Sequence, residues 1–295
     1  VRQPRAERKL AYQERGETLA FARQCAALPQ LKRTWHQLKR VHSQVLQDVL
    51  HRLQHAFDGF FRRRNAGRTP GYPRFRGTGW YDNFTYRQWG NGVTLERGRL
   101  VLSNIGAVRI VRDRPLQGTP KTRTIVRKAD GWYAHIACEV APEPLPPTGK
   151  AVGVDVGLER FATLSDGTHI PNPRLYRAAE RRLRRAQRRL SRRVKGSNRR
   201  RKARELLAKA HLKARRARLD FAHKTARALV NAYDQIVVEQ LNIQGMARNH
   251  PLAKSISDAG WGLFVTVLRA KAARERARGR GGQPGRNVAD LCAVW

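Results

Sequence analysis

Apolar positions recur at helical spacing from Val1 to about Arg64: Val41, Val45, Val49 and Leu53 form a stripe flanked by Leu46 and Leu50 and extended by Phe57, Phe60 and Phe61. Arg33, Lys39, Arg40, His42, Gln47 and Arg52 take the other sides, so residues 1–66 read as a helical subdomain with a basic surface. Glycine and proline between Asn65 and Pro73 end that pattern. From 67 to 147 the period shortens. Phe84-Thr85-Tyr86, Val93-Thr94-Leu95, Leu100-Val101-Leu102, Val108 to Val111, Thr122 to Val126 and Trp132 to Val140 are separated by Asn91-Gly92, Arg97-Gly98 and Asp130-Gly131. Short strands at this spacing predict a small β-barrel or sandwich. Pro142 to Gly149 is too proline-rich for helix or central strand and reads as a linker.

Beyond it, Lys150 to Gly167 gives two apolar runs around a glycine turn, a hairpin with Asp155 inside the first strand. An ionised carboxylate among Val152, Val154 and Val156 is costly to desolvate unless a cation or donors compensate it. Two readings stand side by side: a ligand to a divalent metal, or an edge-strand Asp facing water. A helical hairpin follows, with Leu183, Ala186, Leu190 and Val194 on one arm and Leu206, Ala210, Ala214, Ala217, Phe221, Leu229 and Tyr233 on the other, broken at Gly196-Ser197-Asn198. Asp234 to Ile243 returns to strand, and Glu239 ends its apolar run. Acids on two strands of one domain, residues 148–273, are what a phosphodiester nuclease uses to hold Mg²⁺ or Mn²⁺, so Asp155 and Glu239 are the candidate catalytic and metal-binding residues. A helix is predicted from Leu252 to about Arg269, with Asp258 as a surface or capping residue; His250 reads either as a proton shuttle or, the commoner case, as a loop histidine contacting backbone or phosphate. Residues 274–295 are rich in arginine and glycine, lack periodicity and read as disordered.

Charge changes the picture most. Sixty-one Lys and Arg against 22 Asp and Glu give a formal charge of +39, which points to a polyanionic partner. No apolar run of about 20 residues suggests a membrane span. Cys25, Cys138 and Cys292 have no paired spacing, which fits a reducing compartment without disulfides; a cytoplasmic, nucleoid-associated location is expected. Between Arg174 and Arg227 the acids are Glu180, Glu205 and Asp220, set among arginine pairs that repel one another until a phosphate backbone compensates them. Arg181, Arg185, Arg188, Arg192, Arg199, Arg200 and Lys202 are the nucleic-acid candidates there. Arg74 and Arg76, interleaved with Phe75, Trp80, Tyr81, Phe84, Tyr86 and Trp89, suit phosphate contact and stacking on unpaired bases, although barrel core is the commoner fate of any single aromatic.

Lys150 to Gly157, Ile236 to Ile243 and Arg248 to Gly262, together with Val41 to Asp48 and Gly71-Tyr72-Pro73-Arg74-Phe75, resemble the TnpB (OrfB) proteins of insertion sequences, relatives of the type V CRISPR effectors. The resemblance implies a multidomain α+β and α/β chain: a helical recognition lobe, a β-barrel wedge domain and a RuvC-like RNase H-fold domain carrying the long basic hairpin. It also implies DNA cleavage beside a short adjacent motif, directed by a guide RNA from the transposon end. Asp155 matches the first RuvC acid and Glu239 the second. The family's first wedge strand, four-cysteine zinc insert and third RuvC aspartate are not matched, which implies a truncated, catalytically impaired nuclease with an incomplete RuvC-like domain. Back-translating Gln283 to Trp295 and reading one base later yields Asn-Pro-Ala-Gly-Thr-Ser-Gln-Thr-Cys-Ala-Arg-Cys-Gly, similar to the family's lead into its zinc insert, so a frameshift near residues 272–282 is expected. The alternatives are a nuclease-dead RNA-guided DNA binder acting as a repressor and a generic basic RNA-binding protein.

Overall fold

The computed structural model describes residues 2–74, 77, 79–112, 114–140, 145–239, 241–278 and 287–291, in two compact units, Val1–Ala141 and Pro142–Trp295. The first unit opens with α1 (Arg2–Arg15), α2 (Phe21–Ala26), α3 (Leu28–Thr34), a 3-10 turn (His36–Arg40) and α4 (Ser43–Asn65). His42 starts α4 by accepting the Gln44 backbone N–H at Nδ1. Val41 therefore lies outside the helix, and the buried stripe runs through Leu50, Leu53 and Phe57 together with polar Gln44 and Asp48. These polar positions are buried because they are paired. Gln44 donates to the Asn91 carbonyl and accepts from the Gln88 N–H, and Asp48 meets Arg52 at 2.7 Å.

Six strands follow: β1 (Asn83–Tyr86), β2 (Val93–Glu96), β3 (Arg99–Leu102), β4 (Gly106–Arg109), β5 (Thr119–Lys128) and β6 (Gly131–Glu139). They do not close into the expected barrel. Instead β1-β5-β6 and the meander β2-β3-β4 form separate three-stranded antiparallel sheets. Closure would need an edge strand with something to bury, and β4 carries Gly106 and Ala107 and is exposed throughout. Tyr86, Val93, Leu100, Leu102 and Ile125 make this core. Tyr86, weighed as a stacking residue, thus belongs to it.

The second unit contains β7 (Ala151–Val156), β8 (Arg160–Leu164), β9 (His169–Pro171), α5 (Leu175–Ser191), α6 (Asn198–Ala232), β10 (Gln235–Glu239), α7 (Ile243–Met246), α8 (His250–Ala259), α9 (Trp261–Arg278) and β11 (Asn287–Leu291). Its sheet has the order β11-β10-β7-β8-β9. β7, β8 and β9 are antiparallel neighbours, whereas β10 runs parallel to β7 and β11 parallel to β10. Val152, Val154, Ile236 and Val238 bury one face against Ala226, Leu229 and Val230 of α6 and Phe264 and Leu268 of α9. Asp234, at the entry to β10, accepts from the Thr148 and Gly149 backbone N–H groups and the Thr148 hydroxyl, which ties the incoming chain to the sheet.

The expectation of disorder from residue 274 is corrected at two places. α9 continues to Arg278, and Asn287–Leu291 pairs along β10 as a fifth strand. Five strand residues among arginines and glycines carry too short a period to read, but they satisfy the backbone groups of β10's outer edge. Asp290 stands in register with Val238.

Candidate functional site

Side chains alternate across a strand, so Val152 and Val154 point into the core while Ala151, Gly153 and Asp155 face the other way. β10 repeats this, with Ile236 and Val238 inward and Gln235, Val237 and Glu239 outward. The parallel register pairs Gln235 with Ala151, Ile236 with Val152, Val237 with Gly153 and Val238 with Val154; Glu239 and Asp155 are the next residues on the two strands, just past the paired stretch. By the alternation of each strand the two acids fall on the same face of neighbouring strands. On Asp155's other side the register partner is Thr163 of β8.

Burial differs from the expectation. Asp155 is exposed and Glu239 half-buried, so desolvation is not what marks these acids. Their isolation is. In a chain of charge +39, neither carboxylate forms an ion pair or accepts a side-chain hydrogen bond among the described residues. Two unpartnered like charges side by side are unfavourable, and a cation between them reverses the sign. Among the described residues no group of three or more His, Cys, Asp and Glu is placed to hold a metal ion. Past the strand ends, Gly157 makes the β7–β8 turn, where a Cβ would lie 3.1 Å from the Arg160 carbonyl. Asn242 caps α7 by accepting from the Gly245 N–H, and His250 lies exposed at the first residue of α8.

The basic hairpin is α5 against α6. Leu183 and the small residues Ala203, Ala210 and Ala214 are buried between them, while Val194 falls in the connection and is 78% exposed. Ser197 caps α6 by accepting from the Arg200 N–H at 3.2 Å. The arginines divide into two sets. Arg200, expected to hold phosphate, turns back to donate to the Leu190 and Arg193 carbonyls and so caps the end of α5. Arg218 donates to the Ser257 carbonyl at 2.5 Å, Arg227 pairs with buried Glu275 at 3.0 Å, and Arg177 reaches the Ser255 hydroxyl. Arg181, Arg185, Arg188 and Arg192, by contrast, are exposed, their guanidinium groups make no hydrogen bond or ion pair among the described residues, and they line a concavity of about 850 Å³ along α5. Arg199 and Lys202 are exposed on α6.

Sequence reasoning missed how α5 is docked. Asp258 of α8, 6% exposed, accepts from the Tyr176 and Arg177 backbone N–H groups at 2.6 and 3.1 Å, an N-cap supplied from 82 and 81 residues away. Beside it Glu180 accepts from Lys254, and that ammonium together with Arg184 holds the carboxyl below its usual range. A helix starting at Leu175 without a Ser, Thr, Asp or Asn cap was the available signal.

In the first unit Arg74 is exposed, and so are Trp80, Tyr81 and Trp132. Arg76 and Phe75 lie outside the described residues. Trp89 stacks on the guanidinium of Arg123, 3.8 Å from its ring centre. Arg123 is fully buried and donates to the Gln88 carbonyl; burial pushes it down to about 10. This Arg–Trp pair belongs to the sheet and fastens the loop after β1.

Residues 135–250, which include Asp155 and Glu239, match the family model OrfB_IS605, described as "Probable transposase". A Streptomyces pristinaespiralis protein named "Putative RNA-guided DNA endonuclease" is 34% identical over 265 residues, 86% of this chain and 63% of its own length. The Escherichia coli K12 protein named "Putative RNA-guided DNA endonuclease InsQ" is 32% identical over 242 residues, 76% of this chain and 58% of its own. The chain thus spans about three fifths of the length of these two relatives.

Proposed function

Because the chain belongs to the OrfB, or TnpB, family of transposases, we propose that it is a transposon-associated RNA-guided DNA-binding protein and endonuclease with a RuvC-like, Mg²⁺-dependent site. What supports this is that Asp155 and Glu239 directly follow the last register pair of two neighbouring strands, on the same face by alternation and without an ion pair among the described residues of a strongly basic chain. The names of the relatives support guide RNA and target DNA as the partners.

The residues fit the ion. Mg²⁺ is ordinarily held by one or two carboxylates plus substrate phosphates and keeps several waters, and Asp155 and Glu239 supply those carboxylates from rigid strands. Such an ion, when held, would polarise a phosphoryl oxygen and orient and acidify a water for attack. The chain's own part is to hold both carboxylates on one sheet face, so that they need no rearrangement, and to hold the nucleic-acid backbone by cations that the fold leaves free. Two carboxylates match one ion rather than the pair of a two-metal site, so the reading is for slow hydrolysis. The same stoichiometry favours, as the second reading, a guided binder that represses without cutting.

Sequencing the RNA that copurifies with the full chain, then challenging the complex with guide-matched DNA in Mg²⁺, tests the proposal. One transposon-end RNA and a slow nick abolished by Asp155→Ala are expected. A heterogeneous RNA population with no preference would reduce the protein to a generic RNA binder, and guided binding without a nick would select the repressor.

A further inference from the structure

The partition of arginines in the hairpin says more than that the helix is basic. At about 100° per residue, Arg184, Arg188, Arg181, Arg192, Arg185 and Arg189 fall within an arc of about 140° on α5, opposite Leu183 and Leu190, which face α6. From Arg181 to Arg192 the row is about 16 Å long, the length over which each strand of a B-form duplex presents about five phosphates. The guanidinium groups of Arg181, Arg185, Arg188 and Arg192 have no partner to give up among the described residues. Those flanking the row are Arg184, held to Glu180, and Arg189.

Resting on the reading above, we infer that α5 is a seat for duplex DNA, lying in the major groove with its central arginine row and flanks reaching the phosphate walls. A helix with its side chains is about 10–12 Å across, and the B-form major groove, about 12 Å wide, admits it. The deep, narrow major groove of A-form RNA does not. A single strand is the poorer occupant too, because such strands are held by aromatic platforms, and Arg181 to Arg192 include no Phe, Tyr or Trp. Gln187 is the one exposed uncharged polar side chain between Arg181 and Arg189, so any base contact falls to the arginines, which favour guanine, and the remaining contacts are to phosphates.

The test uses the full chain without metal and with DNA of unrelated sequence, so its outcome is separate from guided cutting. Binding of a 20-base-pair DNA duplex, a DNA single strand and an RNA duplex is followed by fluorescence anisotropy across a salt series. Replacing Arg181, Arg185, Arg188 and Arg192 by Gln is expected to weaken duplex DNA at least tenfold at 0.1 M salt and to flatten its log–log salt slope by about 3 to 4, with smaller changes on the other two. Circular dichroism checks that this variant remains folded. A charge-matched control, Arg33, Lys39, Arg62 and Arg64 to Gln, removes four exposed cations of the first unit and is expected to move the slope by less than one. An unchanged slope, an equal loss in the control, or a larger loss on single-stranded DNA or duplex RNA would overturn the assignment.

Discussion

Replacing Asp258 by Ala removes the side chain that caps the start of α5. Its carboxylate is nearly buried and takes two N–H groups of the first helical turn, at 2.6 and 3.1 Å. Loss of an N-cap costs about 0.5–2 kcal/mol, and loss of a partly buried negative charge at the positive end of a helix adds up to about 2 kcal/mol. A destabilisation of about 2 kcal/mol is therefore expected, since the two effects share the same hydrogen bonds and do not fully add. For a unit of this size each kcal/mol moves the melting point by about 2–4 °C, which gives a drop of about 4–8 °C. Differential scanning calorimetry on the full chain reads it, provided that the transitions of the two units are resolved. Asp258→Asn keeps an acceptor but not the charge, so its drop should be roughly half as large. A shift below 1 °C for Ala, or equal shifts for Ala and Asn, would refute the reasoning.

Gly260 ends α8 at φ +70°, where an added Cβ would lie 2.7 Å from the Arg218 guanidinium, so Gly260→Ala should lose about 1–2 kcal/mol in urea unfolding; an unchanged midpoint would contradict this. The Glu180 carboxyl titrates below its ordinary value because of Lys254, so its stabilisation is full above the ordinary carboxylate range and is lost as pH falls through the lowered one. Wild type should therefore melt above Glu180→Gln near neutral pH and converge with it well below pH 4; a gap that persists in acid would sink the assignment. Asp234→Ala should release the chain at Thr148 and Gly149, seen as faster hydrogen exchange at those two amides.

The alternation in Val152 to Val156 and Ile236 to Glu239 was enough to find both strands and both acids. That the acids are neighbours was not legible, because β7 and β10 are joined through some eighty residues and only their pairing fixes the register. The arginine run was legible as charge but not as role. Arg200, Arg218 and Arg227 are recognised only once the helix ends and Glu275 are placed near them. The barrel failed for a similar reason: turn pairs predict hairpins, whereas closure depends on edges that no local pattern encodes. Asp258 shows the converse. The sequence reading left it as surface or capping, and burial at 6% with two backbone donors makes it a cap across the fold.

Titrating Mn²⁺ into the full chain and following the free ion by electron paramagnetic resonance addresses the acidic pair directly. One ion held per chain, lost on Asp155→Ala and equally on Glu239→Ala, is the result the shared face of β7 and β10 requires. Uptake that both substitutions leave untouched would mean that the two carboxylates hold nothing together.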